Sequence, residues 1–354
     1  MLAIAVLCSA VCAPAARAAE QPPVPRAKAF RAACAALADA ADKADRMVVA
    51  GRDGWRFLAG ELRHVGVGEF WGKAAAKVSR ARNPKYADPL PTIVDFNNQL
   101  KKLGIELLVV PVPPKAVVYP EMILKDADSQ LRLDTQHEAF YKLLREKGVN
   151  VLDLTPKLIS PRCGIAKAAR RTYCKQDSHW SGLGCITAAQ AIASTLKGRP
   201  WLKDVPKLKL ASETRIVEIT GDLAQGADEK LPKEKLVLRF VGKKTDAGLA
   251  PVEPDRKSPV LLLGDSHGLV FHAGGDMHAK GAGLADQLAL ELGFAVDVLA
   301  VRGSGATTAR VSLYRRGRRD KGHIKGKKLI IWCFSAREFT EGSGGWRKLP
   351  VVKP

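Results

Sequence analysis

The sequence is poor in acidic residues and in long apolar segments. Its 354 residues include 36 Asp and Glu against 57 Lys and Arg, a formal net charge of +21. The one long apolar run, at 2–13, is shorter than the ~20 residues that a bilayer-spanning helix needs. Hydrophobic content of 46% and charged content of 26% are ordinary for a soluble globular protein. The length is sufficient for one large domain or two small ones.

The N-terminal segment is typical of an export signal. The apolar run is followed by small residues and the step Ala16-Arg17-Ala18, which resembles a signal-peptide cleavage site. A basic stretch before the apolar run is missing, so an uncleaved membrane anchor remains an alternative. We expect a signal peptide at 1–19 and a periplasmic location.

The cysteines do not form a metal-binding pattern. The sequence has no CxxC pair and no Cys/His spacing typical of zinc sites, so we expect neither a metal nor another cofactor. Removal of the signal peptide would leave five of the seven cysteines. In an oxidising compartment, Cys163 and Cys174 are the natural disulfide pair, because they would close a short basic loop.

The positive charge has two interpretations. A generally basic soluble surface explains it as well as a polyanionic partner does. No aromatic-and-basic RNA motif or recognition helix is present, so nucleic acid is not expected. Among polyanions, an acidic polysaccharide is favoured.

Helix-type and strand-type patterns alternate from residue 91 onwards. This alternation predicts an α/β fold with a mostly parallel sheet covered on both faces. A hairpin around the turn at 51–54 should precede it. The predicted strands are 105–113, 149–154, 259–266, 294–301 and 327–335, and the predicted helices are 93–104, 135–148, 181–196 and 281–293. We expect a leading helix or linker at 20–45, one domain at 46–340, a peripheral insertion at 206–257 and a flexible tail at 341–354.

A serine follows one of the buried strands directly. Ser266, in Gly264-Asp265-Ser266, comes after four apolar residues, at the strand end where open α/β sheets place their sites. Gly-Asp-Ser is also ordinary turn chemistry, and we expect Asp265 to brace that turn. A serine needs a base within hydrogen-bond reach, and that base needs an orienting acid.

His179 is the strongest candidate for the base. In the stretch DSHW, Asp177 lies two residues before it, and in an extended segment the two side chains project to the same side. The alternative is that Asp177 or Ser178 caps the helix that begins near residue 182. Of the other histidines, His272 and His278 follow Ser266 and are candidates to line a cleft. His64, His137 and His323 lie in polar, basic surroundings and are predicted to be surface residues.

The two motifs together resemble the SGNH/GDSL hydrolase-like proteins, and more closely the AlgX/AlgJ family of exported polysaccharide O-acetyltransferases. The order of motifs, with DxH before GDS, is that of the acetyltransferase branch. The resemblance covers about residues 45–340. The stretches that carry it are DGWRFLAGEL (53–62), VVPVPPKAVVYPE (109–121), DSHWSGLGCITAAQAIA (177–193), LLLGDSHGLVF (261–271), GAGLADQLALELG (281–293), RGSGA (302–306) and IIWCFSAREF (330–339).

The resemblance implies an SGNH-like three-layer sandwich and a catalytic triad. Ser266 would be the nucleophile, His179 the general base and Asp177 its orienting acid. The residue after GDS, a large aromatic in the family, is His267 in this chain.

Several further positions have two interpretations each. The usual SGNH oxyanion-hole asparagine is not evident, so we expect the N–H of Ser266 and amides near Gly303 and Ser304 to replace it. Arg337 matches a family arginine and is either a substrate contact or a surface ion pair. Lys115 is either a cleft residue or part of a turn. Trp180 is expected to pack in the core rather than to bind a sugar.

The implied function is transfer of acetyl groups to hydroxyls of an acidic or neutral exopolysaccharide through an acetyl-serine. The resemblance also implies that a membrane-bound O-acyltransferase supplies the acetyl group. Two alternatives stay open: an acetylesterase with the same triad, and a non-catalytic glycan-binding assembly protein. The sequence does not separate transfer from hydrolysis, because the difference is whether water reaches the acyl-enzyme.

Overall fold

The computed structural model describes residues 24–127, 130–160, 170–225 and 231–352. The signal-peptide prediction for 1–19 lies outside these residues, as does Cys163. The helices are α1 (Val24–Lys43), α2 (Ala59–Gly66), α3 (Ala75–Val78), α4 (Leu90–Lys102), α5 (Lys115–Val118), α6 (Thr135–Glu146), α7 (Thr155–Ile159), α8 (Gly182–Leu196), α9 (Leu284–Leu292), α10 (Thr307–Arg319), α11 (Lys321–Lys325) and α12 (Glu338–Glu341). The strands are β1 (Val48–Ala50), β2 (Arg56–Leu58), β3 (Glu106–Val112), β4 (Asn150–Val151), β5 (Ala211–Ile219), β6 (Glu234–Thr245), β7 (Gly248–Pro251), β8 (Val260–Gly264), β9 (Asp297–Ala300) and β10 (Leu329–Ser335).

The centre of the molecule is a five-stranded sheet in the order β4-β3-β10-β8-β9, and every pair in it is parallel. Its strands are apolar on both faces, as expected where helices cover both sides. In β10, Ile331 and Cys333 face one core, while Ile330, Trp332 and Phe334 face the other. The predicted three-layer α/β fold is confirmed. Among the described helices, none is long and apolar enough to span a bilayer.

The element predictions agree with the structure for most of the chain. The hairpin is formed by β1 and β2, which pair in antiparallel orientation around the turn at 51–54. The strand predicted at 149–154 is only the two-residue β4 at the sheet edge. Helices α10 and α11, which cross from β9 back to the start of β10, are not among the predicted elements.

Helix α1 is an integral part of the fold rather than a linker. Phe30, Cys34 and Ala38 lie on one helical face at i, i+4 and i+8, and all three are fully buried. They belong to the same apolar core as Leu62 of α2.

The segment 206–257 forms a second sheet, with strands β5, β6 and β7 in antiparallel order. Leu236 and Leu238 of β6 are buried in the core that also contains the face of α8. The description of this segment as peripheral was therefore incomplete, because it contributes to the core.

The C-terminal residues also pack against the domain, up to residue 352. Trp346 is 3% exposed and lies against the rings of Trp332, Phe334 and Phe339. The Thr92 hydroxyl donates to its carbonyl oxygen. The expected flexible tail at 341–354 is contradicted over 341–352, because burial of this indole fixes the segment.

Candidate active site

The nucleophile turn lies where three parallel strands end. Gly264 pairs with Cys333 of β10 and with Ala300 of β9, so the ends of β8, β9 and β10 meet at one edge. A Cβ atom at Gly264 would lie 1.8 Å from the Cys333 carbonyl oxygen, so only glycine fits between the strands. The packing of the strands therefore requires glycine at position 264, the first residue of Gly264-Asp265-Ser266.

Asp265 braces this turn, as the sequence predicts. Its Oδ1 accepts the His267 N–H at 2.9 Å, and its Oδ2 accepts the Ser335 N–H at 2.6 Å. Burial raises the pKa of this carboxyl, but the charge and hydrogen bond of His267 and the Ser335 amide bring it down to about 2. An ionised Asp265 therefore ties the nucleophile turn to the end of β10.

Ser266 begins a short 3₁₀ turn at 266–268. The first N–H groups of a helical turn have no partner within it, and the Ser266 amide is at this position. Ser266 is 8% exposed and His179 is 6% exposed. The reacting atoms are thus nearly, but not completely, closed off from solvent.

The structure brings the three predicted triad residues together. The Ser266 Oγ lies 2.8 Å from His179 Nε2, and His179 Nδ1 lies 2.7 Å from Asp177 Oδ1. With Nδ1–H donating to the carboxylate, Nε2 is the acceptor of the serine proton. This is the geometry of a nucleophile, a base and an orienting acid, assembled across 87 residues of sequence.

The alternative role of Asp177 as a helix cap is not what the structure shows. Ser181 is the N-cap of α8, and its hydroxyl accepts the Gly184 N–H at 3.3 Å. Asp177 instead accepts the His179 backbone N–H at 3.0 Å, which forms a tight local turn. The turn orients the carboxylate toward the imidazole.

The protonation states fit a general base. Burial lowers the pKa of His179, but the hydrogen bond and charge of Asp177 outweigh it and raise the pKa above its ordinary value. Burial raises the pKa of Asp177, and the hydrogen bonds from His179 and His278 reverse this and hold it well below its usual range. Asp177 is therefore ionised when His179 takes up a proton.

Lys115 is a structural residue beneath the triad. It is 1% exposed, and its ammonium donates to the carbonyl oxygens of Arg56, Lys175 and Asp177 at 2.7, 2.8 and 3.0 Å. It joins the β1–β2 hairpin to the loop that carries Asp177. Neither interpretation from the sequence, a cleft residue or a simple turn, describes this role.

His267 occupies the aromatic position of the family motif. It is 1% exposed, and its ring meets those of Trp180 at 5.2 Å and His179 at 4.9 Å, edge to face in both cases. Burial lowers the pKa of His267, so the ring is neutral at physiological pH. The imidazole thus packs as an aromatic ring would, and Trp180, fully buried beside it, is a packing residue as expected.

The predicted auxiliary residues are placed differently. Gly303 is exposed with a φ of 74°, and the Ser304 hydroxyl donates to Glu338 at 3.3 Å. It is Gly305 that packs against the nucleophile turn, where an added Cβ would lie 3.0 Å from the Asp265 nitrogen. Arg337 lies two residues after the end of β10, and its buried Nη1 has no hydrogen-bond partner within the described chain.

The surface predictions for three histidines need correction. His64 and His137, expected at the surface, are fully buried, and their Nε2 atoms lie 2.8 Å apart. His137 Nδ1 contacts Asp134 at 3.0 Å, and Arg132 pairs with the same carboxylate at 2.7 Å. His323 is also buried, at 6% exposure. His64 and His137 meet across 73 residues of sequence, so their local polar surroundings do not indicate their burial.

The disulfide prediction has one residue outside the described part of the chain, Cys163. Its predicted partner, Cys174, is a fully buried free thiol. The Sγ of Cys174 points inward and donates to the Trp180 carbonyl oxygen at 3.5 Å. The structure thus does not show the bridge at Cys174.

One group of described residues has metal-type donors close together. The donor atoms of Asp177, His179 and Asp222 lie within 4.8 Å of one another. However, His179 Nδ1 and Asp177 Oδ1 are joined by the triad hydrogen bond, with a proton between them. A metal would have to replace that proton, so this arrangement fits a proton relay better.

Comparison with known proteins identifies the family of this chain. Residues 48–336 match the family model described as the SGNH hydrolase-like domain of acetyltransferase AlgX. The chain belongs to this family. The matched region contains both triad motifs and nearly all of the described fold.

Relatives in two species of Pseudomonas share one name. The chain is 28% identical over 230 residues to a protein named Probable alginate O-acetylase AlgJ from Pseudomonas putida, a match that covers 62% of this chain and 54% of the relative. It is 26% identical over 306 residues to the protein of that name from Pseudomonas aeruginosa, covering 82% of this chain and 70% of the relative. The chain thus spans about half the length of the first of these relatives.

Solved structures support the fold. The O-acetyltransferase domain of Pseudomonas putida AlgJ superposes with a TM-score of 0.59 at 23% identity, covering 83% of this chain and 92% of that domain. Pseudomonas aeruginosa AlgX gives a TM-score of 0.57 at 21% identity, covering 81% of this chain and 61% of that one.

Residues that the sequence reasoning missed hold Asp177 from two other elements. His278 Nε2 lies 2.8 Å from Asp177 Oδ2, and the Asp222 N–H donates to the same oxygen at 3.0 Å. His278 was only a candidate to line the cleft, and Asp222 lies in the segment expected to be peripheral. No local sequence signal connects either residue to Asp177, which is 101 residues from His278.

Proposed function

We propose that this protein is an exported O-acetyltransferase that moves acetyl groups onto hydroxyls of a polysaccharide through an acetyl-serine intermediate. The observation that carries the proposal is the hydrogen-bonded series from Ser266 through His179 to Asp177 at 2.8 and 2.7 Å. The triad by itself indicates acyl transfer or acyl hydrolysis. The names of the relatives favour acetyl as the acyl group and an alginate-like polymer as the acceptor.

The first half of the reaction acetylates the serine. His179 Nε2 takes the Ser266 hydroxyl proton as Oγ attacks the carbonyl carbon of an acetyl donor. The Ser266 N–H and the amides at 303–305 are the proposed donors to the oxyanion. The protonated His179, stabilised by ionised Asp177, then gives its proton to the leaving group, and the acetyl-serine remains.

The second half transfers the acetyl group to the acceptor. A sugar hydroxyl replaces the leaving group, His179 removes its proton, and the new oxygen attacks the acetyl carbon. The Ser266 Oγ leaves and recovers its proton from His179, so the enzyme returns to its starting state. We assign the unpaired Nη1 of Arg337 to an oxygen of the acceptor or of the acetyl group.

The net charge of +21 suits an acidic polymer as acceptor. We further propose that the protein works in the periplasm and that a membrane-bound O-acyltransferase presents the acetyl group. Acetyl-CoA is confined to the cytoplasm, so an exported enzyme needs such a carrier.

The test offers a chromogenic acetyl ester to the wild type and to Ser266→Ala, with and without an oligosaccharide of uronic acids. Acetylated oligosaccharide from the wild type alone, detected by mass spectrometry, supports the proposal. Free acetate with no acetylated sugar indicates an acetylesterase. Equal signals from both proteins would reject catalysis by Ser266.

A further inference from the structure

Asp177 is shared by two histidines. His179 Nδ1 approaches Oδ1 at 2.7 Å, and His278 Nε2 approaches Oδ2 at 2.8 Å. The His278 side chain is 13% exposed and the Asp177 side chain is 1% exposed, so water competes little for the contact. A hydrogen bond to a charged group in such surroundings is among the stronger ones in proteins.

With His278 in place, each carboxylate oxygen of Asp177 has two donors. Oδ1 accepts the backbone N–H and the ring N–H of His179, and Oδ2 accepts His278 Nε2–H and the Asp222 N–H. A buried carboxylate with all of its acceptor positions filled has one rotamer and one plane. His278 supplies the only side-chain contact among the two on Oδ2, so it sets the tilt of the carboxylate toward His179.

The loop that delivers His278 is held in an unusual backbone conformation. His278 has a φ of 69°, and Phe271, earlier in the same loop, has a φ of 59°. Non-glycine residues adopt this left-handed region at a cost of about 1–3 kcal/mol. Hydrogen bonds within the loop, from Phe271 N–H to the Met277 carbonyl and from Gly274 N–H to the Ala279 carbonyl, hold it in shape.

We propose that His278 is a positioning residue, which orients the Asp177 carboxylate so that the proton of the Asp177–His179 pair stays on His179 and its ring stays directed at Ser266. It touches neither Ser266 nor the reacting atoms and acts through Asp177. The loop follows the nucleophile turn directly. It therefore connects the turn that carries Ser266 to the Asp177 carboxylate. This inference rests on the proposed function for its activity readout.

The test uses two substitutions at His278. His278→Asn retains a residue that tolerates positive φ, but its amide nitrogen ends about 1 Å short of the Nε2 position and so cannot form the contact with Asp177. His278→Gln keeps an N–H donor long enough to reach it. The matched control is His272→Asn, because His272 lies in the same loop and binds a different carboxylate, Asp286, at 2.9 Å.

We expect His278→Asn to lower kcat for the acetyl ester about tenfold with KM within about twofold, since the loss of one charge-assisted hydrogen bond acts on the transition state. His278→Gln should recover most of this loss, and His272→Asn should keep the wild-type kcat. The acid limb of the pH profile should move to higher pH in His278→Asn, because Asp177 with one donor fewer stabilises the charged form of His179 more strongly. The other charged or titratable groups that act on this pair are unchanged in all variants: Asp222, Asp265, His267, Glu61, Lys115 and Cys174.

A second readout does not depend on turnover. The His179 Nδ1 proton, followed by NMR, should change its shift and titrate at higher pH in His278→Asn, and return in His278→Gln. Wild-type inactivity toward the ester would reject the proposed function while this measurement still tests His278. A His278→Asn protein with unchanged kcat and an unchanged His179 proton would overturn the inference. So would equal losses in His278→Asn and His272→Asn, which would indicate a loop that is only structural.

Discussion

The protonation of the buried Lys115 side chain can be measured through its effect on the free energy of unfolding. Burial lowers the pKa of Lys115 from 10.5 to about 8. At about 1.4 kcal/mol per pKa unit, keeping this ammonium in the folded protein at neutral pH costs about 3 kcal/mol. Its three carbonyl partners, each worth about 1–3 kcal/mol if left unpaired, more than offset that cost. Lys115→Met should therefore lower the free energy of unfolding at pH 7 by about 3 kcal/mol.

The pH dependence has a definite sign. Between pH 8 and about 10.5 the folded protein releases the Lys115 proton while the unfolded chain retains it, so the unfolded state binds more protons and stability rises with pH. The variant lacks this contribution. The difference between wild type and Lys115→Met should thus grow by about 2 kcal/mol from pH 7 to pH 10.

Urea unfolding at both pH values measures this difference, because other titrating groups are common to the two proteins. Lys207→Met is the control, since exposed Lys207 also donates to a carbonyl, that of Leu292, and lies over the Phe294 ring. Its small cost should be equal at both pH values. If the difference in unfolding free energy between wild type and Lys115→Met is constant or smaller at pH 10, the lowered pKa of the buried Lys115 is refuted.

Three further predictions concern the triad and the C-terminal segment. Asp177→Asn should lower kcat by about 10⁴-fold at an unchanged fold, because the amide cannot hold Nδ1 protonated toward it; steady-state kinetics with circular dichroism check this. The wild-type kcat/KM should fall as the pH drops through a midpoint above 6.5, because the pKa of His179 is raised and protonated His179 cannot act as a base. In the residual activity of Asp177→Asn, this midpoint should move to lower pH. A pH–rate profile whose midpoint is the same in both proteins would contradict the role of Asp177. Trp346→Ala should cost about 3–5 kcal/mol of unfolding free energy and make 341–352 accessible to protease, whereas exposed Val352→Ala should do neither.

The sequence was sufficient for the sheet and the triad because both depend on short-range signals. Buried parallel strands are continuous apolar runs, and their carboxyl ends necessarily share an edge, so Ser266 had a predictable place. Asp177 and His179 are two residues apart, and their pairing follows from local geometry. The family resemblance then connected the two motifs.

The burial of several polar and aromatic residues was not predicted, because it depends on contacts between residues that are distant in the sequence. His64 meets His137, 73 residues away, in a buried cluster, although each has polar neighbours in the sequence. Trp346 lies in a Gly-rich and basic stretch, and its burial depends on aromatic rings from β10 and α12. Local composition does not contain these partners, so burial of single polar or aromatic residues was not predictable.

The second sheet shows why an insertion matters for the chemistry. Glu234 of β6 accepts the N–H groups of Lys175 and Gln176 at 2.9 and 3.1 Å, which fixes the backbone just before Asp177. On the same side, Gly221 lies so close that an added Cβ would be 2.0 Å from the Gln176 carbonyl oxygen. Lys115 of α5 also holds this loop, by donating to the Lys175 carbonyl oxygen. The loop at 175–179, which carries Asp177 and His179, is thus held by contacts from α5 and from the second sheet. The Ser266–His179 contact requires this loop in its present position. Substitutions in the second sheet should therefore lower kcat without any contact to the substrate.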